Sequence, residues 1–313
     1  MTEVLEITQP GLLATLQDFG RFGHQAQGVT EGGPMDERAF LWANRLLGNS
    51  YNAAQIEITL GQFKAKFRHT TLFVVTGAEF PLSLNGNSIK SWRVYQAQAG
   101  DTLSVGHNDS GLRSYLAVSG GFRAEPVLGS VATVVRDGLG GLQQQGKPLA
   151  KGDVLAAEVG FAKTLESRRP SSSVVTAIPS RPVLDLIPAG QIQQFSTAAR
   201  QLLVGQTYQV TNKQDRMGVR LQGQHPLPQV PASMISEPLP MGSVQVPADG
   251  QPIVMMNDHQ TLGGYPKIGV LSWTARSILA QLPAGRKFQF RWLELAEAQR
   301  ELRQVWRFFN VMR

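Results

Sequence analysis

Short apolar runs broken by Gly, Pro, Asn or Asp recur along the whole chain. Residues 72–76 (Leu-Phe-Val-Val-Thr), 102–105, 114–118 (Ser-Tyr-Leu-Ala-Val), 183–187, 207–211, 252–256 and 268–273 read as strands on this pattern. Regular short strands favour a barrel or a sandwich. Three segments break the pattern. Ala39, Phe40, Ala43, Leu46 and Leu47 form an apolar stripe at spacings of three and four, with Asp36 placed to cap the helix and Gly48 to stop it. A shorter helix begins near Ser196. The last runs from about Leu293 to the end, with Leu295, Ala298, Leu302, Val305, Phe309 and Met312 at heptad spacing. That seam fits packing onto its own barrel or a helix–helix interface.

Composition agrees with a folded, strand-rich chain. The 32 glycines and 18 prolines supply turns, and 42% hydrophobic against 17% charged residues excludes disorder. At 313 residues there is room for two domains. Ser167-Arg-Arg-Pro-Ser-Ser-Ser173 has a linker composition, which divides the chain into 1–166, a linker 167–182, and 183–313. The halves echo one another: Gln17-Asp-Phe-Gly-Arg-Phe-Gly23 resembles Gln214-Asp-Arg-Met-Gly-Val-Arg220. A duplicated β domain is the expectation.

Charge and cysteine content narrow the chemistry. Net charge is +7, but residues 286–313 alone hold seven basic against three acidic residues. The rest is near balance, without interleaved basic and aromatic residues, so no nucleic acid partner is expected. No apolar run approaches the ~18 residues of a membrane span. The acidic Met1–Glu6 start lacks a signal-peptide core, and cytoplasmic residence is the expectation. No cysteine is present, which excludes thiolate nucleophiles and cysteine-ligated metal. The five histidines share no ligand spacing, so no metal site is assigned. Gly141-Leu-Gln-Gln-Gln-Gly-Lys-Pro148 approaches a P-loop but has Pro148 where a hydroxyl would hold magnesium, and reads as a turn.

The densest chemistry lies at Asn257-Asp-His-Gln-Thr-Leu-Gly-Gly-Tyr-Pro266, directly after the apolar run 252–256. An acid, an imidazole, an amide and two hydroxyls beside paired glycines suit a pocket for a small polar or anionic molecule. A tight turn with its polar residues in water is the other reading. Polar loops at 212–221, 236–238 and 242–252 lie between apolar runs, where binding groups concentrate on β scaffolds. Glu57, flanked by Ile56 and Ile58, is either an outward strand residue or a carboxylate with a partner such as Arg21.

Many motifs in order carry a resemblance that spans nearly the whole chain. They include Gln17-Asp-Phe-Gly-Arg21, Gly32-Gly-Pro-Met-Asp36, Ala43-Asn-Arg-Leu-Leu-Gly-Asn49, Ile56-Glu-Ile-Thr-Leu-Gly61 and Ser114-Tyr-Leu-Ala-Val-Ser-Gly-Gly121. Asp215-Arg-Met-Gly218, Gly250-Gln-Pro-Ile-Val254 and Asp258–Pro266 come in the second half. The chain resembles the allophanate-hydrolase-subunit-2 family, also called the biotin-dependent carboxyltransferase-like or KipA family. Within it, the resemblance is to the branch that holds the C-type component of bacterial 5-oxoprolinase. The resemblance implies a mainly β fold of two cyclophilin-like barrel subdomains with a few helices and a C-terminal helix. It implies an ATP-dependent hydrolysis of 5-oxo-L-proline to L-glutamate, in which phosphorylation of the lactam oxygen activates the ring. ATP with Mg²⁺ would be shared with two partners, a KipI-like B-type protein and a ring-opening A-type protein. Two alternatives stay open. One is carboxyl transfer from biotin to urea or a similar acceptor. This chain lacks a Met-Lys-Met biotinylation context, so a carrier would act in trans. The other is a regulator that binds a partner protein.

Within that reading, Asp258, Glu237 and Arg216 are the catalytic candidates, either acid serving as base or magnesium ligand. Arg216, Arg220 and Lys267 suit phosphate or carboxylate charge. Gln245, Gln260, Thr261 and Tyr265 suit the ring amide and carboxylate. Ser236 suits hydrogen bonding, and Gly263 and Gly264 give the loop its freedom. Asp18, Arg21 and Asp36 of the first half either line the same cleft or hold their own subdomain together.

Overall fold

The computed structural model describes residues 1–109, 111–158, 168–172, 174–175, 178–230 and 234–312. The chain divides into two compact units, one of residues 1–22 and 31–177, the other of 23–30 and 178–313. Both are built mainly from strands.

The first unit has two sheets. In spatial order one holds Phe122–Arg123, Val154–Ala157, Thr2–Gln9, Phe63–Phe67, Thr102–Val105, Leu82–Leu84 and Asn87–Ile89. The other holds Leu13–Gln17, Gln55–Thr59, Arg113–Val118, Thr71–Gly77 and Tyr95–Ala97. Their facing residues share one core that includes Leu5, Ile7, Phe63, Phe67, Phe73, Val75, Leu116 and Val118. Helix α1 (Glu37–Leu47) covers the outer face of the five-stranded sheet, where Ala43, Leu46 and Leu47 pack on Leu72, Val74 and Ala117. The strands Gln55–Thr59, Arg113–Val118 and Thr71–Gly77 are therefore buried on both faces at nearly every position. The ends of α1 are set as its sequence dictates. Asp36 Oδ1 accepts from Ala39 N at 3.0 Å, and Gly48 takes the left-handed conformation at φ 69°.

The second unit is a closed seven-stranded barrel. Its order is Val183–Pro188, Lys267–Leu271, Ser243–Gln245, Ile253–Met255, Gly218–Gly223, Thr207–Gln214 and Lys287–Trp292. The last strand pairs in parallel with the first, closing the ring. Leu184, Leu186, Tyr208, Val210, Val219, Leu221, Phe288 and Phe290 are buried at alternate positions. Tyr208, Phe288 and Phe290 meet with ring centroids 5.1–6.1 Å apart. Side chains thus fill the barrel. Helices α2 (Thr197–Gly205) and α3 (Trp273–Leu279) are capped by Ser196 and Ser272. Helix α4 (Leu295–Phe309) lies against Val183–Pro188. Ala298 and Phe309 of its heptad seam are buried, whereas Leu295 and Met312 are 55% and 81% exposed. The seam is therefore used in its middle and open at both ends.

Two features depart from a simple two-halves division. Residues 23–30 lie within the span read as the first half, yet they belong to the second unit. Gln25 Nε2 donates to the Leu239 carbonyl at 3.2 Å, and the Thr30 hydroxyl to the His259 carbonyl at 3.2 Å. The segment read as a linker is divided between the units: 178–182 belongs to the second, where Gln289 N donates to the Pro182 carbonyl, and the described residues before it are tied to the first. Val94 N donates to the Arg168 carbonyl, and Arg38 Nη2 to that of Val174. Residues 167, 173, 176 and 177 of that segment lie outside the described residues.

Candidate functional site

The decapeptide 257–266 does not close into one pocket. Its start is pinned at one edge of the barrel. Arg216 Nε and Nη2 donate to Asp258 Oδ2 and Oδ1, both at 2.8 Å, and Asp258 N donates to the Arg216 carbonyl at 2.8 Å. Both side chains are buried. A two-point fork of this kind satisfies a carboxylate on both oxygens and fixes two loops to one another. His259 is buried beside it, with its carbonyl held by Thr30 and its Nδ1 2.6 Å from the Gln260 carbonyl. Thr261 is buried and accepts from Leu239 N at 2.9 Å through its carbonyl. Gln260 is half-buried.

The rest of the decapeptide crosses the barrel's outer wall. Leu262–Gly263 pairs with Glu237–Pro238 in a two-stranded ribbon outside the barrel sheet. Alternation points Val244 and Val254 inward and leaves Gln245, Ile253 and Met255 on the outer face. Ile253, Met255 and Leu239 form a small apolar cluster there. The ribbon approaches so closely that a Cβ on Gly263 would stand 2.6 Å from Gln245 Nε2. A Cβ on Gly264 would stand 3.0 Å from the Met234 carbonyl. At Gly264 the crowding atom is backbone, whereas at Gly263 it is the end of a side chain that can move.

Beneath the ribbon a charged cluster forms. Lys267, first residue of its barrel strand, is buried, and its Nζ pairs with Glu237 Oε1. Gln191 links the two: its Oε1 accepts from Lys267 N at 2.6 Å, and its Nε2 donates to the same Glu237 oxygen. Gln245, opposite Lys267 in the register, is buried and donates from Nε2 to the Tyr265 carbonyl at 3.2 Å. Tyr265 and Ser236 are exposed at the rim. Arg220 shares the sheet row of Ile253 and Gln245 but lies two strands from Gln245, about 10 Å, and is exposed.

Register separates this cluster from the Arg216–Asp258 fork. Gln245 lies opposite Lys267 and Ile253, whereas Gly218 lies opposite Met255. Those rows are two residues apart, about 7 Å along the strands, and Arg216 and Asp258 lie beyond the second. The cluster brings together Glu237, Gln245, Gly263, Gly264, Ser236 and Tyr265, and leaves Arg216, Asp258 and Arg220 outside.

Asp18, Arg21 and Asp36 serve the interior of the first unit. Asp18 accepts from the Ser130 hydroxyl at 2.6 Å, Val131 N at 2.9 Å and Gly20 N at 3.1 Å. Burial pushes its carboxyl above the ordinary range, with those hydrogen bonds opposing the rise. Arg21 donates to the carbonyls of Val127, Ser130 and Ala132. Asp36 caps α1 and donates from its N–H to Tyr115 Oη at 2.7 Å. Glu57 finds its partners in the same place rather than at Arg21. It accepts from Met35 N and the Tyr115 hydroxyl, both at 2.8 Å, with Arg113 Nε 3.9 Å away. Burial and then the charge of Glu57 push the Tyr115 hydroxyl well up, so it stays a donor.

Gln191 gives no sign of itself in the sequence. A single Gln after Pro188-Ala-Gly190 carries no pattern, and only the close of the strand beside it brings its amide to Lys267.

The chain belongs to the carboxyltransferase domain family (subdomains A and B), whose model matches residues 27–292. It is 36% identical to the C-type subunit of 5-oxoprolinase from Escherichia coli K12, over 99% of this chain and 97% of that protein. It is 34% identical to the corresponding 5-oxoprolinase component of Haemophilus influenzae, over 95% of this chain and 93% of that one. Among solved structures it matches the Kluyveromyces lactis urea amidolyase with a TM-score of 0.87 at 26% identity, covering 98% of this chain and 20% of that much longer one.

Proposed function

We propose that this chain is the C-type subunit of a multi-subunit, ATP-dependent 5-oxoprolinase that converts 5-oxo-L-proline to L-glutamate. The observation that carries the reading is the end-to-end likeness to the Escherichia coli C-type protein at 36% identity. The geometry under the ribbon fits that substrate. A buried ammonium at Lys267 suits its carboxylate, and the Gln191 and Gln245 amides suit the carboxylate and the lactam.

Mg²⁺ finds no ligand set among these residues. Asp258, outside the cluster, has both oxygens taken by Arg216, Glu237 gives Oε1 to Lys267 and Gln191, and among the described residues no group of acids and histidines forms a metal site. We assign nucleotide and metal to the partner proteins, the KipI-like B and ring-opening A types, and to this chain the holding of the lactam. The test is 5-oxoproline-dependent ATP hydrolysis by this chain alone and with both partners. Turnover in the full mixture only is expected. An assembled mixture without turnover overturns the reading.

A second reading is carboxyl transfer from a biotinylated carrier. The family's description and the likeness to the urea amidolyase favour it. Co-purification with a biotinylated protein would select it over the first.

A further inference from the structure

The pairing beneath the ribbon is lopsided. The Lys267 side chain is 9% exposed, whereas that of Glu237 is 38% exposed. The cation stands on a barrel strand, and the carboxylate stands on a two-residue ribbon strand that pairs only with its ribbon mate. An ammonium carries three protons, and among the described residues Glu237 is the sole partner of Lys267 Nζ. Gln191 Nε2 aims at the same Glu237 oxygen. Gln191 is itself fixed, because its Oε1 is taken by Lys267 N at 2.6 Å. Two donors set by the barrel therefore converge on one point, and a carboxylate from a different element fills that point.

A buried ammonium without an anion is costly, whereas exchanging one anion for another leaves it neutralised. Returning Glu237 to water costs little, because its side chain already reaches solvent. We propose that Glu237 is an exchangeable counter-ion. It stands where the carboxylate of a small-molecule ligand binds, and that carboxylate takes Lys267 Nζ and Gln191 Nε2 as Glu237 turns out to solvent. This rests on the reading of the cluster as the carboxylate subsite, and it adds that the chain carries its own competitor for it. Ligands without a negative charge gain no entry, because they leave the ammonium unpaired when Glu237 departs.

Calorimetric titration of the full chain with 5-oxoproline, its carboxamide and acetate tests the exchange. Glu237→Gln removes the competing charge and should bind the two carboxylates about tenfold more tightly or better, with the carboxamide unchanged. Glu237→Ala should do the same and guards against a new hydrogen bond from the glutamine. Lys267→Met should bind neither carboxylate. Circular dichroism melts identify the folded variants. The exchange is overturned if folded Glu237→Gln and Glu237→Ala bind every carboxylate no tighter than wild type, total lack of binding included. Wild-type binding by Lys267→Met also overturns it. Tighter binding of acetate and 5-oxoproline alike, without oxoproline-dependent turnover, upholds the exchange and removes the oxoprolinase reading. Turnover in the complex with affinities indifferent to Glu237 does the reverse.

Discussion

Arg216 and Asp258 lie 42 residues apart and meet through two parallel 2.8 Å hydrogen bonds inside the second unit. The pair joins the turn before the strand Gly218–Gly223 to the loop after Ile253–Met255, two neighbouring strands of the barrel. Removing one partner strands the other charge in a buried place.

Asp258→Ala and Arg216→Ala should each lower stability by about 3–5 kcal/mol. The double variant should lose less than the sum of the two. Urea denaturation of all three, as a double-mutant cycle, measures the coupling. Additive losses would mean that the fork contributes nothing beyond its separate contacts.

Asp18 gives the first unit a pH dependence of known sign. Its folded carboxyl binds its proton more tightly than the unfolded one, chiefly through burial. Between the two values the native state holds more protons, so this group's contribution falls as pH rises through the window and is flat above it. Carbon-detected NMR titration should place its midpoint above the ordinary carboxylate range. Asp18→Asn should flatten that part of the stability profile while losing the acceptor for Val131 N. A midpoint at or below the ordinary range would contradict the burial argument.

Two glycines should respond in opposite ways. A Cβ at Gly61, where φ is 62°, would stand 1.8 Å from the Gly106 carbonyl oxygen. Gly61→Ala should therefore cost about 2 kcal/mol or more. At Gly263 the nearest atom is the end of the flexible Gln245 side chain, 2.6 Å away. Gly263→Ala should leave stability within about 1 kcal/mol and weaken 5-oxoproline binding by turning the Gln245 amide. Thermal melts and titration separate the two effects.

Arg220 stands exposed on the outer wall in an alternating strand. Arg220→Ala should leave stability within about 0.5 kcal/mol. Binding of 5-oxoproline should also hold, because the Lys267 cluster lies two strands away. Loss of binding on titration would bring Arg220 into the site.

The site was legible in pieces. Asp18 and Asp215 lie in the two echoing segments, and each accepts from the N–H of a nearby glycine, Gly20 and Gly218. The repeat thus reflects one local turn device. The arginine downstream of each aspartate has its partners chosen by distant chain. Arg21 gives its donors to carbonyls more than a hundred residues on, whereas the second echo's Arg216 meets Asp258. Proximity along the chain makes Asp258, Gln260 and Tyr265 look like one pocket. The length of a barrel strand parts them, because the loop leaves one end of the barrel and rejoins it near the other.

Local sequence was enough for the elements, since strand and helix periods, caps and turn glycines depend on near neighbours alone. The strands read at 72–76, 102–105, 114–118 and 183–187 stand within a residue of those observed, and Asp36 and Gly48 bound α1 as read. The motif order likewise carried the family. Which polar residues share a site came from the tertiary structure. Burial and register are set by strands distant in sequence, and they joined Gln191 and Lys267 to Glu237 while giving Asp258 to Arg216.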